Sequence, residues 1–240
     1  MTTTVAPVVA HWSDQLRRLN ACHDAVEYAE KFPDFAAAWQ ACERGDWMLW
    51  LAGRVLGGAP ESPERKRIVA AAVACARLVL PIYEARYPTD KRVRECLDTT
   101  ERWTRGEATL DELRKARAAA VAAASSAAAS SAADADDADD AYAAADAADA
   151  AASAADAAAS ADAADAAYAA AYADDADDAY AAYAAYAAAY ASSAAATADD
   201  AYAAYAAAYA GRQMQRACAD IARQHFTAPE IETALTEATP

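Results

Sequence analysis

Glycine and proline are scarce in this chain, and what there is of them is unevenly placed. Six glycines and eight prolines occur in 240 residues, and neither falls anywhere from Arg117 to Ala210. That window is filled mostly by alanine, the residue with the highest helix propensity, so nothing in it breaks a helix outright. It is also poor in bulk: between Ala118 and Gly211 the only branched aliphatic residue is Val121. Basic residues are missing from it altogether. All 21 Lys and Arg lie outside 118–211, which holds 16 of the 37 acidic residues, every one an Asp. The rest of the chain is balanced, so the net charge of −16 belongs to a single segment. Such a charge disfavours direct nucleic-acid binding, because phosphate contacts need Lys and Arg. It suits a basic protein partner or simple solubility.

Other absences narrow the chemistry. Five cysteines stand apart at 22, 42, 75, 96 and 218. An odd number without close pairing is not a disulfide framework, and it predicts reduced, mostly buried thiols and a cytoplasmic location. The opening MTTTVAPVVAHW lacks a basic stretch followed by an apolar core, so no signal peptide is expected. No run of about 18 bulky apolar residues exists, so neither a transmembrane helix nor a membrane partner is expected. HExxH, CxxC, GxSxG and a Gly-rich phosphate loop are all absent. Cys22 and His23 could be half of a metal site, with Cys42 or His225 joining in space. Neighbours on a helix, however, point about 100° apart, which suits a shared ion poorly. Glu27 with Glu30, and Asp98 with Glu101, have helix-surface spacing and read as solvated faces rather than acid–base pairs. The expectation is a non-enzymatic protein with no cofactor, metal or catalytic residues.

What is present is helix punctuation. Ser13 caps a short helix through Leu16 and Leu19, and a second stretch runs from about Asp24 to Lys31 before Pro33. Asp34 caps Phe35 to Arg44, which Gly45 closes. Asp46 caps Trp47 to Leu56, which Gly57 and Gly58 close. Ser62 and Pro63 open a helix carrying Ile68, Val69, Val73, Leu78 and Leu80, and Pro81 should kink or end it. Another helix starts near Thr89 and ends at Gly106. Thr109 and Glu112 have capping-box spacing and open the helix that enters the alanine tract. No stretch shows strand alternation. The predicted fold is all-α: a bundle of short helices over 1–116, an Ala/Tyr/Asp-rich helical repeat tract over 117–210, and a closing helix with a tail over 211–240. The predicted core is Trp39, Trp47, Trp50, Leu51, Val69, Val73, Leu78, Leu97 and Trp103. Trp47, Trp50, Leu51 and Arg54 share one helix face. That face reads first as core with Arg54 at its rim, and alternatively as an aromatic binding patch.

The tract repeats loosely. YAAAYA begins at Tyr168, Tyr186 and Tyr205, and DDADDAY ends at Tyr142 and Tyr180. The Ser125-Ser126, Ser130-Ser131 and Ser192-Ser193 pairs are candidate turns between helices packed as hairpins. At about 100° per residue, the tyrosines from Tyr168 to Tyr190 fall within an arc of roughly 120°, with Asp174, Asp177 and Asp178 largely opposite. Tyr202, Tyr205 and Tyr209 cluster again, away from Asp199 and Asp200. A tyrosine face can pack internally, which is the expectation, or stay exposed for a partner. The acidic face reads first as solvated surface. As a partner surface it comprises Asp174, Asp175, Asp177, Asp178, Asp199 and Asp200 with Tyr183, Tyr186 and Tyr190. After Gly211, Arg212, Met214, Arg216, Cys218, Ile221 and Phe226 form a closing amphipathic helix, and Pro229 begins a loosely held tail.

The run LRRLNACHDAVEYAEKFPDFAAAWQACERGDWMLWLAGRVLG, from Leu16 to Gly57, resembles the immunity-protein family associated with bacterial polymorphic toxin systems and phages. The likeness continues through IVAAAVACARLVLPIYE, ERWTRGEATLDELRKA, the tract and QRACADIARQHF, and ACERGDWMLWLAGR is its most telling piece. The resemblance implies an all-helical cytoplasmic protein encoded beside toxins, and it supplies no catalytic residues. The function expected from it is stoichiometric inhibition of a toxin domain with a basic surface. The alternatives are a self-associating, possibly phage-encoded scaffold and an acidic nucleic-acid mimic.

Overall fold

The computed structural model describes residues 11–57, 59, 61–133, 144, 147–148, 151–152 and 203–239. Among them it contains helices and no strand. The helices traced from end to end are α1 (Asp14–Arg18), α2 (His23–Ala29), α3 (Phe35–Ala41), α4 (Gly45–Leu56), α5 (Pro63–Arg86), α6 (Arg92–Thr104), α7 (Leu110–Ala133), α8 (Ala203–His225) and α9 (Ala228–Ala238). The all-α fold read from the sequence is the observed one.

Local chemistry explains most boundaries. Asp34 accepts the Ala37 N–H at 2.8 Å, and Ser62 accepts the Arg65 N–H at 3.1 Å with Pro63 opening the helix. Thr109 and Glu112 form the reciprocal capping box: Thr109 N–H donates to Glu112 Oε2 at 2.8 Å, and Glu112 N–H donates to Thr109 Oγ1 at 3.2 Å. α6 ends where Gly106 takes φ +75°, letting Glu107 N–H reach Arg102 O and Gly106 N–H reach Trp103 O, a Schellman closure.

Five local expectations are corrected. Of the two outcomes expected at Pro81, a kink or an end, the end is not observed, because α5 runs on to Arg86 with packing on both sides of the proline: Val79, Leu80 and Tyr83 are all buried. Ser125-Ser126 and Ser130-Ser131 are not turns, since α7 passes through both. Ser126 Oγ donates to Ala122 O at 2.7 Å, so the hydroxyl is satisfied inside the helix. Gly211 does not divide tract from closing helix, because α8 is continuous through it. Pro229 sits in the first turn of α9, whose Ile231 and Leu235 are fully buried, so the end of the chain is packed rather than loose. Ser13 occupies the N-cap position of α1 but makes no side-chain cap, since its Oγ is engaged by His11 Nδ1 at 2.8 Å.

α5 is the central helix, packing against α4, α6 and α8. By length and composition it could cross a membrane, but 56% of its apolar window is buried within the fold, and Ile68, Val69, Cys75 and Val79 are wholly enclosed. α7 lies on α6, α8 on α4 and α5, and α9 on α3 and α4. The predicted core is largely observed. Trp47 and Trp50 are half-buried, however, and Leu78 is 40% exposed on the outer side of α5. The tract's described apolar face is alanine: Ala120, Ala123, Ala124 and Ala127 of α7 are buried, as are the helical Ala144, Ala147, Ala148, Ala151 and Ala152. Both sets follow helical spacing, and methyl-sized side chains let backbones approach closely. Cys96 Sγ of α6 donates to Ala151 O at 3.6 Å. Tyr209, expected to pack inward, is 52% exposed.

One polar joint ties α5 to α6. The Asp90 carboxylate accepts the Tyr83 hydroxyl at 2.6 Å, the Arg92 backbone N–H at 3.0 Å and the Arg92 guanidinium. The Arg92 contact, helped by the phenol, holds the Asp90 carboxyl well below the usual carboxylate range. A folded-state value below the unfolded one means this stabilisation is complete above about pH 4 and is lost as pH falls through the folded value. Asp90→Asn is expected to lower stability by about 1–2 kcal/mol at pH 7 in urea titrations. The deficit relative to wild type should shrink below pH 4, and a pH-independent deficit would contradict the assignment.

Candidate functional site

Helices α1 to α4 are too short to bury much on their own, and they enclose an incompletely filled space. A cavity of about 560 Å³ opens among them, walled by four of the five tryptophans, Trp12, Trp39, Trp47 and Trp50, together with Tyr28 and Phe35. The rings brace one another. Trp12 meets Phe35 edge-on at 5.6 Å, Phe35 stacks on Trp39 at 5.7 Å, and Tyr28 leans on Trp47 at 5.8 Å. The single face expected for Trp47, Trp50, Leu51 and Arg54 contributes its first three members to this wall, with Leu51 buried and both indoles half-buried. It is therefore core on one side and cavity lining on the other.

Most polar groups of the wall are satisfied within the protein. Trp12 Nε1–H donates to Phe32 O at 3.0 Å, and Tyr28 hydroxyl donates to Ala38 O at 3.2 Å. Arg44 lies 4.3 Å above the Trp47 ring and grips both carboxylate oxygens of Asp46, at 2.9 and 2.5 Å. Burial, and then the neighbouring Cys42, pushes the Tyr28 phenol up to about 12, and burial pushes the Cys42 thiol up as well. Both are neutral at physiological pH.

The α3–α4 junction that forms this wall is held from behind by α8. Gly45 and Asp46 were expected to close one helix and cap the next. Instead α3 ends at Ala41, Gly45 is the first residue of α4, and Arg44 occupies the cap position. The reason is contact with α8. A Cβ on Gly45 would lie 2.3 Å from Cys218 Cβ and 2.7 Å from the Ala219 backbone nitrogen. Gln215 Oε1 accepts the Asp46 N–H at 3.2 Å, Arg216 pairs with Glu43 at 2.8 Å, and Arg223 donates to Trp39 O and Cys42 O at the end of α3. Sequence reading missed Gln215 and Arg223 as partners of this junction. Nothing local marks a side chain whose acceptor or donor lies about 170 positions away.

The residues expected to form an acidic partner surface, Asp174, Asp175, Asp177, Asp178, Asp199, Asp200, Tyr183, Tyr186 and Tyr190, lie outside the described residues. Among the described residues no three His, Cys, Asp or Glu are grouped to hold a metal. Cys22 is exposed on the cavity lining, while His23 faces Glu27 at 3.3 Å. Asp98 and Glu101 both pair with Arg77, and Glu30 pairs with Arg17, so these carboxylates serve ion pairs between helices.

With the body of helices in place, the stretch from the end of α4 into the tract can be compared with known families. Residues 59–165 match the family model of Imm-5 like putative immunity proteins. The Imm-5 like stretch takes in α5, α6 and α7 whole, together with the buried alanines up to Ala152. Over that stretch it bears out the immunity-family resemblance read from the sequence, and the family's description suggests an immunity role, which in general implies a protein partner. The junction segment Ala41–Arg54 lies before it. No curated protein and no solved structure matches the chain.

The clamp makes a direct prediction. Gly45→Ala forces a methyl into backbone as well as side chain, so the midpoint of chemical unfolding should drop by the equivalent of about 2 kcal/mol or more. An unchanged midpoint would show that α4 and α8 do not touch at this point.

Proposed function

We propose that this protein is an immunity protein that acts without catalysis, forming a one-to-one complex with a cognate toxin domain and blocking it. The observation that carries this reading is the Imm-5 like match over residues 59–165. The net charge of −16, all of it traceable to the alanine tract, supports a toxin with a basic face. On this reading Asp174, Asp175, Asp177, Asp178, Asp199 and Asp200 steer the encounter, and Tyr183, Tyr186 and Tyr190 supply contact area beside them. The partner surface then belongs to the tract, and the helical body carries it.

Co-expression with the product of the adjacent open reading frame is the test. The expected result is rescue of growth and a co-purifying complex whose association slows as salt rises. Replacing the six named Asp residues by Asn should weaken binding at low salt about tenfold or more, mainly through the association rate. Absence of both rescue and complex would refute the immunity reading. A tight complex indifferent to salt and to the Asn replacements would refute only the acidic surface.

A further inference from the structure

The aromatic cavity is not needed by that reading, and its chemistry specifies an occupant of its own. Its volume of about 560 Å³ falls in the range that takes small organic ligands rather than a few waters. Its walls are mainly aromatic and aliphatic surface, with the Asn20 amide and the sulfurs of Cys22, Cys42 and Met48 among them. Among the described residues Arg44 and Asp46 are its only ionised side chains, and they neutralise each other in a two-point pair. Neither is left over for a charged ligand. Tyr28 and Trp12 have spent their donors on backbone carbonyls. Trp39 has not: the ring is 3% exposed, it lines the cavity, and its Nε1–H meets no acceptor among the described residues. A buried donor without an acceptor is rare and asks for a partner from outside the chain.

We propose that this cavity is a binding site for a neutral, flat, two- or three-ring apolar molecule carrying one carbonyl, whose rings stack among Trp12, Trp47 and Trp50. The carbonyl accepts from the Trp39 indole, which turns slightly to meet it. Its occupancy does not depend on a toxin.

The test uses the full-length protein and a neutral dye, N-phenyl-1-naphthylamine, displaced by a matched pair of three-ring molecules, 9-fluorenone and fluorene, and by fluorenone-2-carboxylate. Saturable dye uptake is expected, with fluorenone displacing it about five- to tenfold better than fluorene, the ratio one recovered hydrogen bond provides. The carboxylate should compete at least as poorly as fluorene. Trp39→Phe keeps the apolar wall and removes the donor, so fluorenone and fluorene should become equal. Ala25→Trp fills the cavity from a half-buried position and should weaken dye and fluorenone tenfold or more while helicity and melting temperature hold. Should that variant not fold, the wild-type protein offers another measurement. Cys22 is the exposed thiol on the lining, and bound fluorenone should slow its labelling by a maleimide. Absence of saturable uptake, or an unchanged Cys22 labelling rate, overturns the site. Equal affinity for fluorenone and fluorene in the wild-type protein overturns the role of Trp39.

Discussion

The close approach of α8 to the start of α4 is the constraint from which the rest of the body takes its arrangement. A glycine at 45 lets two helices meet at backbone distance, and Cys218 and Ala219 fill the space a side chain would have taken. Around that contact the polar groups of two helix ends are answered by α8: Gln215 for the first turn of α4, Arg223 for the last carbonyls of α3. A helix end carries backbone groups without intrahelical partners, and burying it without replacements is costly. α8 supplies those replacements, which is why the junction can be tucked inward and why the tryptophans beside it stand around a space rather than collapsing onto each other.

The two kinds of sequence in the chain make two kinds of core. In α5 and α6, rings and branched side chains are buried together in one core, as Tyr83, Leu97, Ile68 and Trp103 are. Along α7 and the helical alanines from 144 to 152, the buried surface is methyl after methyl, and each residue removes little area from water. Stability there comes from intrinsic helix propensity and from backbones packed closely, with α6 as the surface they pack on.

Much of this was legible in the sequence, for physical reasons that can be named. Capping residues act over three or four positions, so Asp34, Ser62, Thr109 with Glu112, and Gly106 announced their boundaries correctly. Helical periodicity picked out Val69, Val73, Leu97 and Trp103. Two of the misreadings come from tertiary contact overriding a local signal: α5 continues past Pro81 with packing on either side, and Gly45 serves α8 rather than a turn. Another is local, since Ser126 bonds within its own helix. The cavity was half visible. The Trp47, Trp50 and Leu51 face was noticed, but Trp12 and Phe35 come from other helices, and no local pattern brings them together. The acidic and tyrosine positions singled out for a partner fall where the structure is not described, so they remain a reading of the sequence.

The last helix also ties the two ends of the chain together. Arg18, in the first helix, donates to the Thr239 carbonyl at 2.9 Å across 221 positions, and α9 packs on α3 and α4. An all-helical chain ordinarily owes its fast folding to neighbours in sequence. Here the aromatic wall is backed by helices made long after it. Until α8 and α9 have emerged those indoles have no backing, so a chain stalled before residue 203 would present an open, sticky surface.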